Sequence, residues 1–170
     1  MWSFRALVLF AAALAAGACG FQPLYGSRLA GDAPAELAQI KVTPIPDRIG
    51  QQLHNQLLTA LNPDGRPEKP QYVLTTRLHE SLSSIGVKKT GFSTRANLSL
   101  TATYEMRNVK SDQPVFQAQS VITVSYDILD SEFATLMAEK EARTRAAREL
   151  GEEMRVRIAA FFSGGKPQGQ

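Results

Sequence analysis

Residues 96–107 read Ala-Asn-Leu-Ser-Leu-Thr-Ala-Thr-Tyr-Glu-Met-Arg, an unbroken alternation of apolar and polar side chains. In an extended strand successive side chains point to opposite faces. Ala96, Leu98, Leu100, Ala102, Tyr104 and Met106 therefore share one side, and Asn97, Ser99, Thr101, Thr103, Glu105 and Arg107 the other. A helix would scatter the same set around its circumference. The stretch predicts a sheet with one face on a core and the other open.

The segments on either side repeat the pattern. Upstream, Tyr72, Leu74, Thr76, Leu78, Glu80 and Leu82 alternate with Val73, Thr75, Arg77, His79 and Ser81. Downstream, Phe116, Ala118, Ile122, Val124, Tyr126 and Ile128 stand against Gln117, Gln119, Thr123 and Ser125. Glu80 falls on the inward side, so it is expected near a strand end within reach of water, because a buried unpaired carboxylate is costly. The outward side is mostly Thr, Ser, Asn and Gln, with few charges. Such a face suits either a surface that meets another polar protein wall or an ordinary solvated sheet.

The first two strands are joined by Ser83–Ser93, where Gly86 and Gly91 bracket Lys88 and Lys89, and Arg95 follows shortly after. A long hairpin tip of this kind can meet phosphate through its cations, while Ile85, Val87 and Phe92 meet an acyl chain or a partner. The plainer role of a lysine pair is to keep a loop tip in water. The other turn, residues 108–114, reads as a simple connection.

Helical spacing appears twice. Ile49, Leu53, Leu57, Leu58 and Leu61 recur on one face after Asp47, an expected N-cap, and stop before Asn62-Pro63-Asp64-Gly65. His54 on this helix sits among Gln and Asn and reads as a surface histidine. The second helix opens at Asp130 or Ser131, with Glu132 in the favourable first turn. Its apolar stripe is Phe133, Leu136, Met137, Ala147, Leu150, Met154, Ile158 and Phe161, and Glu139–Arg143 and Glu141–Arg145 have helpful spacing on the opposite face. Gly151 interrupts the stripe at a cost of about 1 kcal/mol relative to Ala, which implies a close approach to the sheet or the first helix. Ser163-Gly164-Gly165 ends the helix. Ahead of both helices, Ile40, Val42 and Ile45 form a brief strand cut off by Pro44 and Pro46, expected near a sheet edge. The order is β-α-β-β-β-α. Each element has one apolar side, so the predicted fold is α+β, a two-layer sandwich with a four-stranded mixed sheet and both helices on one face.

The N-terminus carries a different message. Arg5 precedes an apolar run from Ala6 to Ala16, followed by Gly17-Ala18 and the chain's single cysteine, Cys19. A charged start, a short apolar run and small residues are the parts of a secretory signal, and the run is shorter than the ~20 residues a membrane-spanning helix requires. Small residues directly before Cys19 resemble a bacterial lipobox, although Ala16 stands where Leu is usual. The other readings of Cys19 are a buried core cysteine or an intermolecular disulfide. The expected organisation is a lipoprotein signal peptide at 1–18, a lipidated tether at 19–38, the sandwich domain at 39–162 and a polar tail at 163–170. Acylation at Cys19 with more than one chain would hold the protein stably on a membrane. By resemblance to Gram-negative sorting rules, Gly20 after the cysteine points to the outer membrane. Within the tether, Phe21–Gly26 is unusually apolar.

Composition narrows the function classes. With 19 Lys+Arg against 16 Asp+Glu the charge balance is close to even, which is no nucleic-acid signature. A single cysteine excludes an internal disulfide. The sequence has no supported Ser-His-Asp set, no Gly-rich phosphate loop and no Cys/His metal pattern, so an envelope hydrolase has no nucleophile to name. Neither a catalytic residue, a cofactor nor a metal ligand is expected.

Cys19-Gly20-Phe21-Gln22-Pro23-Leu24-Tyr25-Gly26 resembles the mature start of lipopolysaccharide-assembly lipoproteins of the LptE family, alphaproteobacterial type. Ser93-Thr94-Arg95-Ala96-Asn97-Leu98 is similar as well, as are Ser125-Tyr126-Asp127 and the Phe133-Ala134, Ala138-Glu139 and Ala142 positions of the last helix. The resemblance implies a non-enzymatic subunit of the outer-membrane lipopolysaccharide translocon, seated in the lumen of a large β-barrel partner, LptD. Such a subunit supports assembly of the barrel, plugs it and engages lipopolysaccharide in transit. It also implies lipidation of Cys19 and places candidate lipopolysaccharide contacts at Lys88, Lys89 and Arg95. The rival reading is a periplasmic lipid-binding lipoprotein that presents a lipid to an envelope transport complex.

Overall fold

The computed structural model describes residues 36–87 and 93–164, with the backbone alone at 85–87, 93 and 94. Its elements are β1 (Ile40–Val42), α1 (Arg48–Leu61), β2 (Tyr72–Val87), β3 (Ser93–Asn108), β4 (Pro114–Asp127) and α2 (Glu132–Phe162). The strands form one sheet in the order β1-β2-β3-β4. β1 runs parallel to β2, with Ile40 opposite Tyr72, and α1 is the crossover between them. The remaining pairs are antiparallel. This is the expected α+β sandwich with a mixed sheet and both helices on one face.

Alternation in β3 is realised without exception: Ala96, Leu98, Leu100, Ala102, Tyr104 and Met106 are all buried. Leu98, Leu100, Ala102, Tyr104 and Met106 form one core with Leu53, Leu57 and Leu61 of α1 and with Ala147, Leu150, Met154 and Ile158 of α2. Leu37, just ahead of β1, joins it. An aromatic row closes the core at the C-terminal end of α2, where Phe162 packs on Tyr72 at 5.3 Å and Phe161 on Phe116 at 5.1 Å between ring centroids. Tilted contacts of this kind are the favoured geometry for aromatic pairs.

Local signals are met in most places. Ser131 is the N-cap of α2, its hydroxyl accepting from the Ala134 amide. Asp47 is the N-cap of α1 but makes no side-chain capping bond, and its φ of 68° turns the chain sharply into the helix. His54 is not a free surface group: it is half-buried, and its Nδ1 lies 3.1 Å from the Thr43 carbonyl, tying α1 to the segment after β1. Gly151 makes the close approach its position implied. A Cβ there would lie 2.6 Å from Cγ of Gln56 on α1.

Four further expectations fail. Strand pairing continues beyond residue 82, through Ile85 opposite Arg95 and Val87 opposite Ser93, so the connection is shorter than Ser83–Ser93. Leu82, on the inward side of that extension, is 49% exposed. The apolar stripe of α2 is buried only in its C-terminal part, while Phe133, Leu136 and Met137 are 71%, 58% and 40% exposed. The lengths explain this: α2 has 31 residues and α1 has 14, or ~46 Å against ~21 Å at 1.5 Å per residue. The first turns of α2 thus extend past the helix that packs beside it. Finally, Arg145 donates to the Ser125 carbonyl at 3.0 Å instead of following its expected spacing to Glu141.

Candidate interaction face

The outward side of the sheet is the surface with the most organised chemistry. Register sets each side chain opposite a partner across the strands, and many of these pairs are hydrogen-bonded. Ser99 meets Thr123 at 2.7 Å, and Ser125 donates to Asn97 at 2.6 Å. Gln117 donates to Glu105 at 2.6 Å, and Arg107 donates to the same carboxylate. The Arg107 guanidinium also reaches the carbonyl and carboxylate of Asp112 in the β3–β4 turn, at 2.8 and 3.0 Å. These bonds hold the Glu105 carboxyl below its usual range, chiefly through Arg107 and then Gln117, and raise the affinity of Arg107 for its proton. A shallow depression of about 610 Å³ lies here, lined by Thr75, Arg77, Thr103, Glu105, Arg107 and Gln119 among others. It is a wall rich in paired amides and hydroxyls, in which Glu105, Arg107 and Asp112 match one another's charge.

The predicted site residues distribute unevenly. Arg95 is exposed on the outward side of β3, directly across from Asp127, and its Nε donates to that carboxylate at 3.1 Å. Lys88, Lys89 and Cys19 lie outside the described residues. Among the described residues no three metal-ligating side chains gather, and no helix is long and apolar enough to cross a membrane.

Sequence reading missed two features of β4. Ser120 falls at an inward position and is buried, where its hydroxyl meets the Tyr104 hydroxyl at 3.1 Å. Burial pushes the Tyr104 phenol above its ordinary pKa, against a smaller opposing effect from the Ser120 bond. Val121 takes an outward position and is 54% exposed, an apolar side chain on a polar face. The alternation itself was the available signal, since Ser120 and Val121 are the two residues that break it.

Comparisons with known proteins agree with this architecture. A Caulobacter crescentus CB15 protein named as a lipoprotein superimposes with a TM-score of 0.63 at 21% identity, over 79% of this chain and 98% of that one. Lipoprotein B of Nitrosomonas europaea gives 0.58 at 15% identity, over 74% and 84%. A minor lipoprotein of Acinetobacter baumannii gives 0.55 at 14%, over 72% and 92%. At such identities the likeness is one of fold. No curated protein matches the chain. A family model, LptE, described as lipopolysaccharide-assembly, matches residues 37–158, close to the full extent of the sandwich. The chain belongs to the LptE lipopolysaccharide-assembly family.

Proposed function

We propose that this protein is the lipoprotein subunit of an outer-membrane lipopolysaccharide translocon, working without catalysis inside the lumen of a large β-barrel partner of the LptD type. It supports assembly of that barrel and plugs it, and lipopolysaccharide passes in contact with Lys88, Lys89 and Arg95. Cys19, acylated after removal of residues 1–18, anchors the protein on the outer membrane. Family membership supports the assembly role. The observation that carries the plug reading is the outward sheet face, whose Ser99–Thr123, Asn97–Ser125 and Glu105–Gln117 pairs make a broad polar surface. Such a surface is complementary to the polar interior of an outer-membrane barrel, and it offers no enclosed chamber for an acyl chain.

Extraction of envelopes in mild detergent tests this. The full-length lipoprotein is expected to come out in a roughly equimolar complex with one large barrel protein. Recovery of the lipoprotein alone, carrying bound lipid, overturns the plug in favour of a periplasmic lipid carrier.

A further inference from the structure

Register divides the outward side of the sheet into cross-strand rows, each with one residue from β2, β3 and β4. Toward one end lie Ser81–Ser99–Thr123 and Ser83–Asn97–Ser125, and toward the other Thr75–Glu105–Gln117. In each of these the β3 and β4 side chains are hydrogen-bonded to one another. Two rows lie between them, Arg77–Thr103–Gln119 and His79–Thr101–Val121. Among the described residues no side-chain hydrogen bond or ion pair joins any member of these two rows.

The unbonded rows carry donors in excess. A guanidinium has N–H groups and no acceptor. Of the three arginines on the outward side, Arg95 pairs with Asp127, and Arg107 pairs with Glu105 and Asp112. Arg77 is exposed and has no ion-pair partner among the described residues. The Glu105 carboxylate, one row away, is already held by Arg107 and Gln117. Arg77 acts on it only through space, as the least of the influences that lower its carboxyl. With Thr103 and Gln119, Arg77 lines the depression of about 610 Å³ described above. A polar wall that covers this face takes the water from Arg77, and a desolvated charge without a partner is costly.

We propose that this depression receives an acidic side chain of the barrel wall, whose carboxylate is bound by Arg77 with support from Thr103 and Gln119. The identity of the partner rests on the function proposed above. The chemistry comes from the row itself. An ionised carboxylate offers acceptors only, and it matches the guanidinium fork with two parallel bonds. The Thr103 hydroxyl and the Gln119 amide supply further donors toward β4. Such a side chain belongs in the polar interior of an outer-membrane barrel. The bonded rows on either side present satisfied groups, which meet another polar wall without choosing a register. A charge pair does choose one, because complementary charges set specificity and register more than raw affinity. Arg77 is thus the fixed point of the contact.

Recovery of the barrel with the full-length lipoprotein in mild detergent tests the proposal, read beside the thermal midpoint of the isolated lipoprotein. Arg77→Gln is expected to keep the midpoint near wild type, as at other exposed sites, and to cut recovery of the barrel at least about tenfold. Arg148→Gln removes an exposed charge from α2 instead and is expected to retain recovery. Arg77→Lys keeps the charge and brings a primary amine to the same place. In that complex a water-soluble carbodiimide activates the facing carboxylate and leaves as a urea, so that the amine and an Asp or Glu of the barrel are joined as an amide. Mass spectrometry of the linked peptides identifies the pair. Absence of any link to the barrel overturns the proposal and leaves the plug reading standing, as does wild-type recovery in Arg77→Gln. A link only to Glu105 of the same chain overturns it as well. If Arg77→Gln lowers the midpoint, the link alone decides. Failure to recover any barrel with the wild type removes both readings.

Discussion

Glu80 on β2 and Arg143 on α2 meet at 2.9 Å, and the same guanidinium holds Glu139 one helical turn earlier at 2.6 Å. The carboxylate on the inward side of the strand is thus answered by a cation from the opposing layer, and the bond to Glu80 is the main cause of the upward shift at Arg143. Removing the arginine leaves two half-buried carboxylates close together. Arg143→Leu is expected to cost about 1.5–3 kcal/mol, the range for hydrogen bonds to charged groups. Glu80→Gln in that background is expected to recover part of the loss. Additive losses in a denaturant-unfolding double-mutant cycle would show that the pair is not coupled.

Gly151 sits where α2 crosses α1, and a Cβ there would meet Gln56 Cγ at 2.6 Å and Cβ at 3.3 Å. Alanine gains about 1 kcal/mol in helix propensity but overpacks a contact whose typical penalty is 1–3 kcal/mol. Gly151→Ala is therefore expected to be neutral to about 2 kcal/mol destabilising. Gln56→Ala removes the colliding Cγ, so the double variant should be more stable than Gly151→Ala alone. A double variant no better than the single one would place the conflict elsewhere.

The Tyr104–Ser120 hydroxyl pair makes a prediction of both size and sign. Ser120→Ala leaves a buried phenol without its partner and is expected to cost about 1–3 kcal/mol, whereas Tyr104→Phe with Ser120→Ala removes both groups and is expected to cost less. Burial raises the Tyr104 pKa in the folded state. The folded protein therefore holds this proton more tightly than the unfolded chain. That stabilisation is complete below the ordinary tyrosine value near 10 and is lost as pH rises through the folded value. Alkaline unfolding should thus begin at higher pH in Tyr104→Phe than in the wild type, and identical profiles would refute the assignment.

The sandwich was legible because β3 alternates without error and its neighbours nearly so; two apolar helices then had one sheet face to cover. What escaped the reading depended on lengths and on cross-strand register. Periodicity marks Leu136 and Ile158 alike as stripe residues, and only the disparity between α1 and α2 separates them. Ser120 and Val121 invert the pattern locally, one to satisfy a buried phenol and one on the outward face. From the sequence, Arg95 reads only as a cation near a hairpin tip. Its partner Asp127 followed only from a register spanning 32 positions in sequence.

That disparity can be measured. Leu150 and Met154 are fully buried, and truncating either to Ala is expected to cost about 2–5 kcal/mol. Leu136 and Met137 belong to the same apolar periodicity but line an open depression with Ile49 and Lys140. Serine at either position is expected to change stability by no more than about 0.5 kcal/mol. Comparable losses at both ends would mean that α2 is packed along its whole length.

Replacing Lys88, Lys89 and Arg95 together by Gln tests the proposed lipopolysaccharide contact. Arg95 pairs with Asp127 at an exposed site, and exposed pairs contribute about 0–1 kcal/mol, so the triple variant should fold with a thermal midpoint near wild type. A cation near an anionic lipid surface contributes about 1 kcal/mol, and three together correspond to roughly a hundredfold in affinity. Binding of purified lipopolysaccharide to the triple variant is expected to weaken by about that factor at low salt. The difference should shrink as ionic strength rises, because exposed charges are screened beyond a Debye length of about 8 Å at physiological salt. Wild-type affinity in the triple variant would show that the hairpin takes no part in lipopolysaccharide contact. A loss independent of salt would point to packing by the apolar neighbours and not to charge.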